Sequence, residues 1–272
     1  MPSKRRESAY HNVMAKSTKL TLSPTKISAF LRCRRFYWFR YIQKYQTRPR
    51  AEFTFGAALH RSLDAFHGAT ERPTVETLQA QFREGWTTAG FKTPEEAQRA
   101  LEAAQGILEK YHQEAPPPEA APEILLREKM LRVDCGEYVL MGRVDRVDRH
   151  PDGTLEIIDY KSGRSRVTES QTRADIGLMV YEAMIRRLYP DSRVTVSIHA
   201  LRPNQRATIA RTDGEFAEVL TFIDDTAHAI AAETDWEGVC DKDLCEDCDF
   251  LLWCPDRWPG RDADQMSNDN PS

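Results

Sequence analysis

The spacing of hydrophobic residues divides the chain into a helical first half and a second half rich in strands. A helix is predicted from Pro24 through Ile27 to about Tyr41, because Ser23 can cap it and proline suits the first helical position. Further helical periodicity predicts a helix over about 55–67 and a helical insert over about 70–114, which the proline-rich linker 115–122 ends.

After the linker the hydrophobic period becomes that of strands. A turn at His150-Pro151-Asp152-Gly153 predicts that the strands on either side of it form a hairpin. The predicted elements in order are strands over 124–130, 138–147 and 154–160, a helix over 175–188, a strand over 193–201 and a helix over 215–233. This order predicts an α/β fold with a mixed central sheet flanked by helices.

Length and composition narrow the class of protein. The 272 residues suffice for one large domain or two small ones, and 40% hydrophobic with 29% charged residues excludes a disordered polymer. No apolar run approaches the roughly 18 residues that a membrane span needs. The basic residues at the start are not followed by an apolar stretch, so no signal peptide and a cytoplasmic location are expected.

The net charge of −4 argues by itself against a nucleic-acid partner, but it hides a division along the chain. Residues 1–50 contain 13 lysines or arginines and one acid, whereas residues 211–272 contain four basic and 17 acidic residues. Residues 1–18 and 259–272 are interpreted as flexible tails. Over 19–50 aromatic residues alternate with the basic ones, which suits phosphate contact and base stacking, although packing onto a core competes for those rings.

The candidate chemistry lies in the predicted hairpin. Asp159 and Lys161 are two residues apart on a strand, so their side chains point to the same face, and pairing through the turn could bring Asp145 beside them. Two carboxylates suit Mg²⁺ or Mn²⁺, and a lysine can orient or help to deprotonate an attacking water. The alternative is that these charges form a surface ion pair. The neighbouring Ile157 and Ile158 argue against it, because they indicate a buried strand.

Three cysteines near the end of the chain have the spacing of metal ligands. Cys245, Cys248 and Cys254 form Cys-x₂-Cys-x₅-Cys, in which the two-residue gap lets two thiolates reach one metal. A fourth ligand is either Cys240, which would make a local site for zinc, or the distant Cys33. The remaining alternative is that these cysteines are buried thiols without a metal.

Together the motifs resemble those of the PD-(D/E)XK nucleases, specifically their RecB-like exonuclease branch. The resemblance begins with Gly142-Arg-Val-Asp145-Arg and Ile157-Ile-Asp159-Tyr-Lys161-Ser-Gly, and continues with Gly56-Ala-Ala-Leu-His60 and the cysteines at both ends. It implies a restriction-endonuclease-like core over about 123–202 within a single domain, 19–258. An N-terminal helical region and a C-terminal cysteine cluster over 240–254 would complete that domain.

The resemblance also implies roles for individual residues. His60, Asp145 and Asp159 would bind Mg²⁺ or Mn²⁺, with Lys161 and Tyr181 as further catalytic residues. A lone histidine on a helix more often has a structural role. For His60 the order of the surrounding motifs favours a metal ligand instead. The branch usually has glutamine four residues before the tyrosine; here that position is Gly177, which removes one polar contact.

For the cysteines, the resemblance implies that Cys33 joins Cys245, Cys248 and Cys254 to hold a [4Fe–4S] cluster as a structural staple, as in CRISPR-associated and AddB-type iron–sulfur nucleases. Zinc, with Cys240 as the fourth ligand, remains the alternative. Such a cluster would bring the basic and acidic ends of the chain together.

The implied function is a metal-dependent DNA exonuclease that acts on single-stranded ends, in repair or recombination, CRISPR or phage DNA processing. Arg34, Arg35 and Arg40 are expected to contact the DNA. The chain has no Gly-x₄-Gly-Lys-Ser/Thr motif, so helicase activity would come from a partner subunit. The alternative is a non-catalytic nucleic-acid-binding or scaffolding module that keeps the nuclease fold.

Overall fold

The structure, a computed structural model, describes residues 19–257, so the predicted tails 1–18 and 259–272 lie outside the described residues. Its helices are α1 (Pro24–Arg32), α2 (Arg34–Tyr37, continued by a π-helical turn, Trp38–Ile42), α3 (Ala51–Gly68), α4 (Val75–Glu84), α5 (Pro94–Glu114), α6 (Glu169–Ala174), α7 (Ile176–Leu188), α8 (Asp213–Ala232) and α9 (Lys242–Glu246). Its strands are β1 (Leu20–Leu22), β2 (Glu123–Asp134), β3 (Tyr138–Arg149), β4 (Leu155–Lys161), β5 (Val194–Ala200) and β6 (Gln205–Ile209).

One mixed sheet contains all six strands, and its centre is the long strand β3. Strand β2 pairs antiparallel with β3 along one edge. The other edge of β3 is shared: β1 pairs with it in parallel over 138–140, and β4 pairs antiparallel over 146–149. The sheet continues through β5, parallel to β4, to β6, antiparallel to β5. The predicted hairpin and the predicted α/β fold with a mixed sheet are thereby confirmed.

Helices cover both faces of the sheet, as alternate residues of β4 demonstrate. Ile157 packs in a core with residues of α1, α7 and α8, whereas Ile158 and Tyr160 pack in a second core with residues of α3, α4 and α5. Val144 and Val147 of β3 are three residues apart and both join the first core. The alternation of a regular strand is therefore interrupted between them, where Asp145 and Arg146 lie.

Several elements differ from the sequence prediction. The predicted helix over 24–41 is divided at Cys33, whose extended backbone ends α1 and begins α2. The predicted helical insert is present and contains two helices, because the chain turns at Gly85 and restarts at Pro94 with Thr93 as its N-cap. The pattern did not predict the short elements β1, β6, α6 and α9, since three to six residues hold too little of a period to detect.

Of the helices between residues 19 and 257, none has the length and apolar character needed to cross a bilayer.

A buried polar cluster supports β4 from the side of α3 and α5. Arg146 donates to both carboxylate oxygens of Asp148, at 2.5 and 2.6 Å, and its Nη1 lies 2.8 Å from Nε2 of His67. His67 is also 2.5 Å from the Tyr111 hydroxyl, which lies 3.0 Å from that of Tyr160. Burial, with the positive charge of Arg146, lowers the pKa of His67 to about 2. The imidazole is therefore neutral in the folded protein.

This neutral histidine predicts a loss of stability in mild acid. Below pH 6.5 the unfolded chain binds a proton at His67 that the folded chain excludes. Each further pH unit of acidification therefore lowers the free energy of unfolding by about 1.4 kcal/mol, until the pKa of the folded state is reached. We expect His67→Gln to remove about this much of the slope of the unfolding free energy between pH 6 and pH 5, measured by urea titration. As a control, His228→Gln removes an exposed histidine whose pKa is raised by Glu137, and it should not flatten the slope. Equal slopes for His67→Gln and the parent would contradict the prediction.

Candidate active site

The candidate site lies where β3 and β4 separate. Their backbone ladder ends at the pair Arg146–Ile158. The next residues, Asp145 and Asp159, are in register with each other but fall beyond this ladder. Here the Asp145 side chain replaces the backbone hydrogen bond between the strands: Asp145 Oδ2 accepts a hydrogen bond of 2.8 Å from the amide of Tyr160. A buried amide needs a partner, and this one holds the Asp145 carboxylate at the opening between the strands.

Helix α3 brings His60 to the same opening. The helix can approach β4 closely because Gly56 has no side chain: a Cβ atom there would lie 3.1 Å from Ser162 Oγ. His60 Nε2 lies 3.0 Å from the carbonyl oxygen of Tyr160 and donates to it. The other ring nitrogen, His60 Nδ1, is directed at the carboxylates and lies 3.3 Å from Asp145 Oδ1.

A third side chain in this group, Glu128 of β2, is absent from the motifs that the sequence analysis used. Its Oε1 lies 3.5 Å from His60 Nδ1, and its Oε2 pairs with Arg143 Nε at 2.9 Å. Glu128 has a φ of +41°, a strained conformation for a residue with a side chain and one found at functional sites. The register of β2 against β3 places it opposite Asp145, between the pairs Arg127–Arg146 and Lys129–Val144. Only knowledge of that register could have identified it.

His60, Glu128 and Asp145 can hold a divalent cation. Their ligand atoms all lie within 4.8 Å of one another, and two carboxylates with an imidazole suit Mg²⁺ or Mn²⁺. Burial lowers the pKa of His60, but the hydrogen bonds and charges of Asp145 and Glu128 outweigh it and raise the pKa to about 10. Without a cation the two carboxylates therefore share a proton on His60, and a bound cation would replace that proton.

Asp159 and Lys161 lie beside this group on the face of β4 that α7 covers. Lys161 Nζ is 2.8 Å from Asp159 Oδ2 and 3.2 Å from Asp175 Oδ2. Asp159 Oδ2 is buried, and the Lys161 ammonium is the charged group in contact with it. Burial raises the pKa of Asp159 to about 6 despite the opposing charge of Lys161. Asp159 is thus a buried carboxylate close to Asp145, with Lys161 as its ion-pair partner.

Tyr181 and two glycines complete the wall of the site. A Cβ atom on Gly142 would lie 2.8 Å from the Tyr181 ring, so this glycine gives the ring its place against β3. On α7, a Cβ atom on Gly177 would lie 2.9 Å from Asp175 Oδ1 and 3.9 Å from Asp159 Oδ1. Position 177 therefore faces the carboxylates of Asp175 and Asp159. Burial and the charge of Asp159 raise the pKa of Tyr181, so its hydroxyl stays protonated.

Comparison with known proteins identifies the fold that carries this site. The sequence profile of the PD-(D/E)XK nuclease superfamily matches residues 21–255. The chain belongs to this superfamily.

Other comparisons add similarity of fold. A candidate exonuclease from Eubacterium rectale aligns over 92% of this chain and 94% of its own with a TM-score of 0.53 and 11% sequence identity. The protein SSO0001 aligns over 89% of this chain and 88% of its own with 16% identity, and its TM-score of 0.38 is too low to support a conclusion. A search of curated proteins finds no match.

The candidate site borders a cleft, which Asp159, Lys161 and Tyr181 line together with residues of α1, α2 and α3. Arg40 also lines it, and its Nη1 donates to Thr47 Oγ1 at 2.7 Å. The other two arginines predicted to contact DNA are held by acids near the end of the chain: Arg34 pairs with Glu233 at 3.0 Å and Arg35 with Asp256 at 2.8 Å. Of the three, Arg40 is the one that faces the nuclease cleft.

The cysteines of this nuclease form a separate group. Cys33, Cys245, Cys248 and Cys254 line one small apolar cavity, whereas Cys240 is exposed and does not line it. Their sulfurs are less tightly gathered than the ligand atoms at His60. Among residues 19–257, the His60 group is the set in which three ligand atoms lie within 4.8 Å of one another.

Removing the carboxylate of Glu128 should weaken metal binding by this nuclease. Loss of a residue that only supports a ligand costs 10–100-fold in metal affinity, so we expect Glu128→Gln to raise the Kd for Mn²⁺ by at least about 10-fold in calorimetric titration. Glu123→Gln on the same strand is the matched control, because Glu123 is exposed and pairs with Arg149. Equal Mn²⁺ affinities for Glu128→Gln and the parent would exclude Glu128 as a ligand.

Proposed function

We propose that the chain is a metal-dependent DNA exonuclease that hydrolyses phosphodiester bonds at single-stranded ends. The observation that carries this proposal is the proximity of the His60–Glu128–Asp145 group to Asp159, which lines the adjacent cleft together with Lys161. A divalent cation bound there would stabilise the charge that develops on the scissile phosphate.

The protein's own residues would then position the attacking water and the substrate phosphate and supply hydrogen-bond donors. The Lys161 ammonium, held between Asp159 and Asp175, can orient a water for attack on phosphorus or donate a hydrogen bond to a phosphate oxygen. The hydroxyl of Tyr181, kept protonated by its surroundings, is a further donor for substrate oxygens on the same wall. Asp145 and His60 are held in their orientations by the backbone of Tyr160.

The preference for single strands rests on the lining of the cleft. Arg40 lies over the ring of Tyr41, at 5.6 Å from its centroid, so a positive charge and an aromatic surface stand together beside the catalytic residues. Phosphates and unpaired bases are the groups that such a surface binds. Arg34 and Arg35 remain part of the proposal as outer contacts, with smaller effects because acids already pair with them. The process would be repair or recombination, CRISPR or phage DNA processing, with helicase activity from a partner.

Degradation of labelled oligonucleotides tests this function. We expect single strands labelled at the 5′ or the 3′ end to be shortened in the presence of Mg²⁺ or Mn²⁺, and Asp159→Asn to slow this at least about 100-fold, the usual effect of losing a catalytic group. Asp152→Asn, in the exposed turn of the same hairpin, is the control and should keep full activity. Absence of degradation by the parent, or equal degradation by Asp159→Asn, would contradict the enzyme and favour the non-catalytic binding module.

We further propose that Cys33, Cys245, Cys248 and Cys254 hold a [4Fe–4S] cluster. The shared cavity and the thiolate chemistry of its lining support this ligand set over one containing Cys240. A cluster here would tie the junction of α1 and α2 to the end of the chain.

Metal analysis of protein purified without oxygen tests the cluster. We expect a brown protein with about four irons per chain, and loss of that iron in Cys33→Ala. Cys240→Ala is the matched control and should keep all of it. Stoichiometric zinc without iron would reject the cluster, and loss of metal in Cys240→Ala alone would reject Cys33 as the fourth ligand.

A further inference from the structure

Phe53 is an exposed aromatic side chain at the catalytic cleft. It lies in the first turn of α3, is 73% exposed, and lines the cleft together with Asp159 and Lys161. Isolated exposed hydrophobic residues are common on protein surfaces. This one differs because its ring borders the space in which the substrate strand of the proposed nuclease would lie.

Helix geometry relates Phe53 to the metal group. His60 follows Phe53 by seven residues, which is two turns, so both side chains project from the same face of α3 about 10.5 Å apart along the helix axis. Between them Gly56 rests against Ser162, immediately after Lys161. The face of α3 from Phe53 to His60 therefore runs along the catalytic end of β4.

The charges around Phe53 suit a nucleic acid strand. Arg40 and Arg50 line the same cleft, with Arg50 held by Asp249 at 3.1 Å. Guanidinium groups beside an exposed ring are the combination with which proteins bind single strands, phosphates on the charges and bases on the ring. The acids that line this cleft, Asp159, Asp175 and Asp249, are each within 3.2 Å of a lysine or arginine nitrogen.

We propose that Phe53 stacks on a nucleobase of the substrate strand and thereby favours unpaired over paired DNA. This inference rests on the proposed nuclease function. At about 3.4 Å per stacked nucleotide, the stacked base would lie about three nucleotides from the bond at the metal group. A base within a duplex has its faces covered by its neighbours, so it can reach the ring only after unstacking, which costs free energy.

Fluorescence of 2-aminopurine tests the stacking without requiring hydrolysis. In an Asp159→Asn background, single-stranded oligonucleotides carrying 2-aminopurine at successive positions from the end are titrated with protein and Ca²⁺. We expect strong quenching at one position, its loss in Phe53→Ala, and its return in Phe53→Trp. Phe53→Ala should also weaken single-strand binding by about 10-fold, the usual effect of losing one stacking ring, and leave duplex binding unchanged. Leu188→Ala, at the exposed end of α7 and outside the cleft, is the matched control.

The outcomes separate this inference from the proposed function. If the parent degrades single strands but Phe53→Ala binds them as tightly, with unchanged quenching, the stacking role is wrong and the nuclease stands. If quenching at one position depends on Phe53 while the parent degrades nothing, the stacking role stands and the enzyme proposal fails. Equal weakening of single-strand and duplex binding in Phe53→Ala would reject the role in selecting unpaired DNA.

Discussion

The peptide groups on either side of the Tyr160 α-carbon are bound by two candidate metal ligands. The amide donates to Asp145 Oδ2 at the point where the β3–β4 ladder ends, and the carbonyl accepts from His60 Nε2. Because a buried backbone group left without a partner costs 1–3 kcal/mol, both side chains are held by the same strand, and their free atoms converge on one point. The side chain of Tyr160 lies on the same side of the sheet as His60, with the two ring centroids 5.9 Å apart, and its hydroxyl meets that of Tyr111. The metal group is thus built around the backbone of one residue, and the core behind it keeps that backbone in place.

The basic and acidic ends of the chain are paired with each other in the structure. Basic residues of the first 50 pair with acids of the last 50: Arg35 with Asp256, and Arg50 with Asp249. These pairs lie beside the cavity that the four cysteines line, so the two ends of the domain are joined there by charge and by apolar contacts such as that of Phe36 with Phe250. Much of the positive charge that the composition offers for DNA is used within the protein. The basic residues that line the cleft are Arg32, Arg40, Arg50 and Lys161, of which Arg50 and Lys161 are paired with acids.

Local patterns predicted the hairpin and its chemistry because both depend on residues close in sequence. The turn at 150–153 determines the register that sets Asp145 against Asp159, and alternation along β4 puts Asp159 and Lys161 on one face. Glu128 could not be found in this way, since its place depends on the β2–β3 register and on a strained backbone that no motif encodes. The division of the first helix at Cys33 is similar, because no helix-breaking residue stands there and the break coincides with packing against the end of the chain.

The sequence by itself determined the α/β class, the order of the main elements and the residue types available for a metal-dependent reaction, because hydrophobic period and motif spacing are local properties. The superfamily, too, follows from the sequence. Tertiary structure alone decided which of these residues meet. It placed Glu128 in the metal group, set Asp159 beside that group in contact with Lys161, and separated Arg40 from Arg34 and Arg35. It also brought Cys33 rather than Cys240 to the C-terminal cysteines. Each of these outcomes depends on contacts between segments far apart in sequence. The contacts are set by strand register, by the close approach of a helix at a glycine and by ion pairing, and these form only when the whole chain packs.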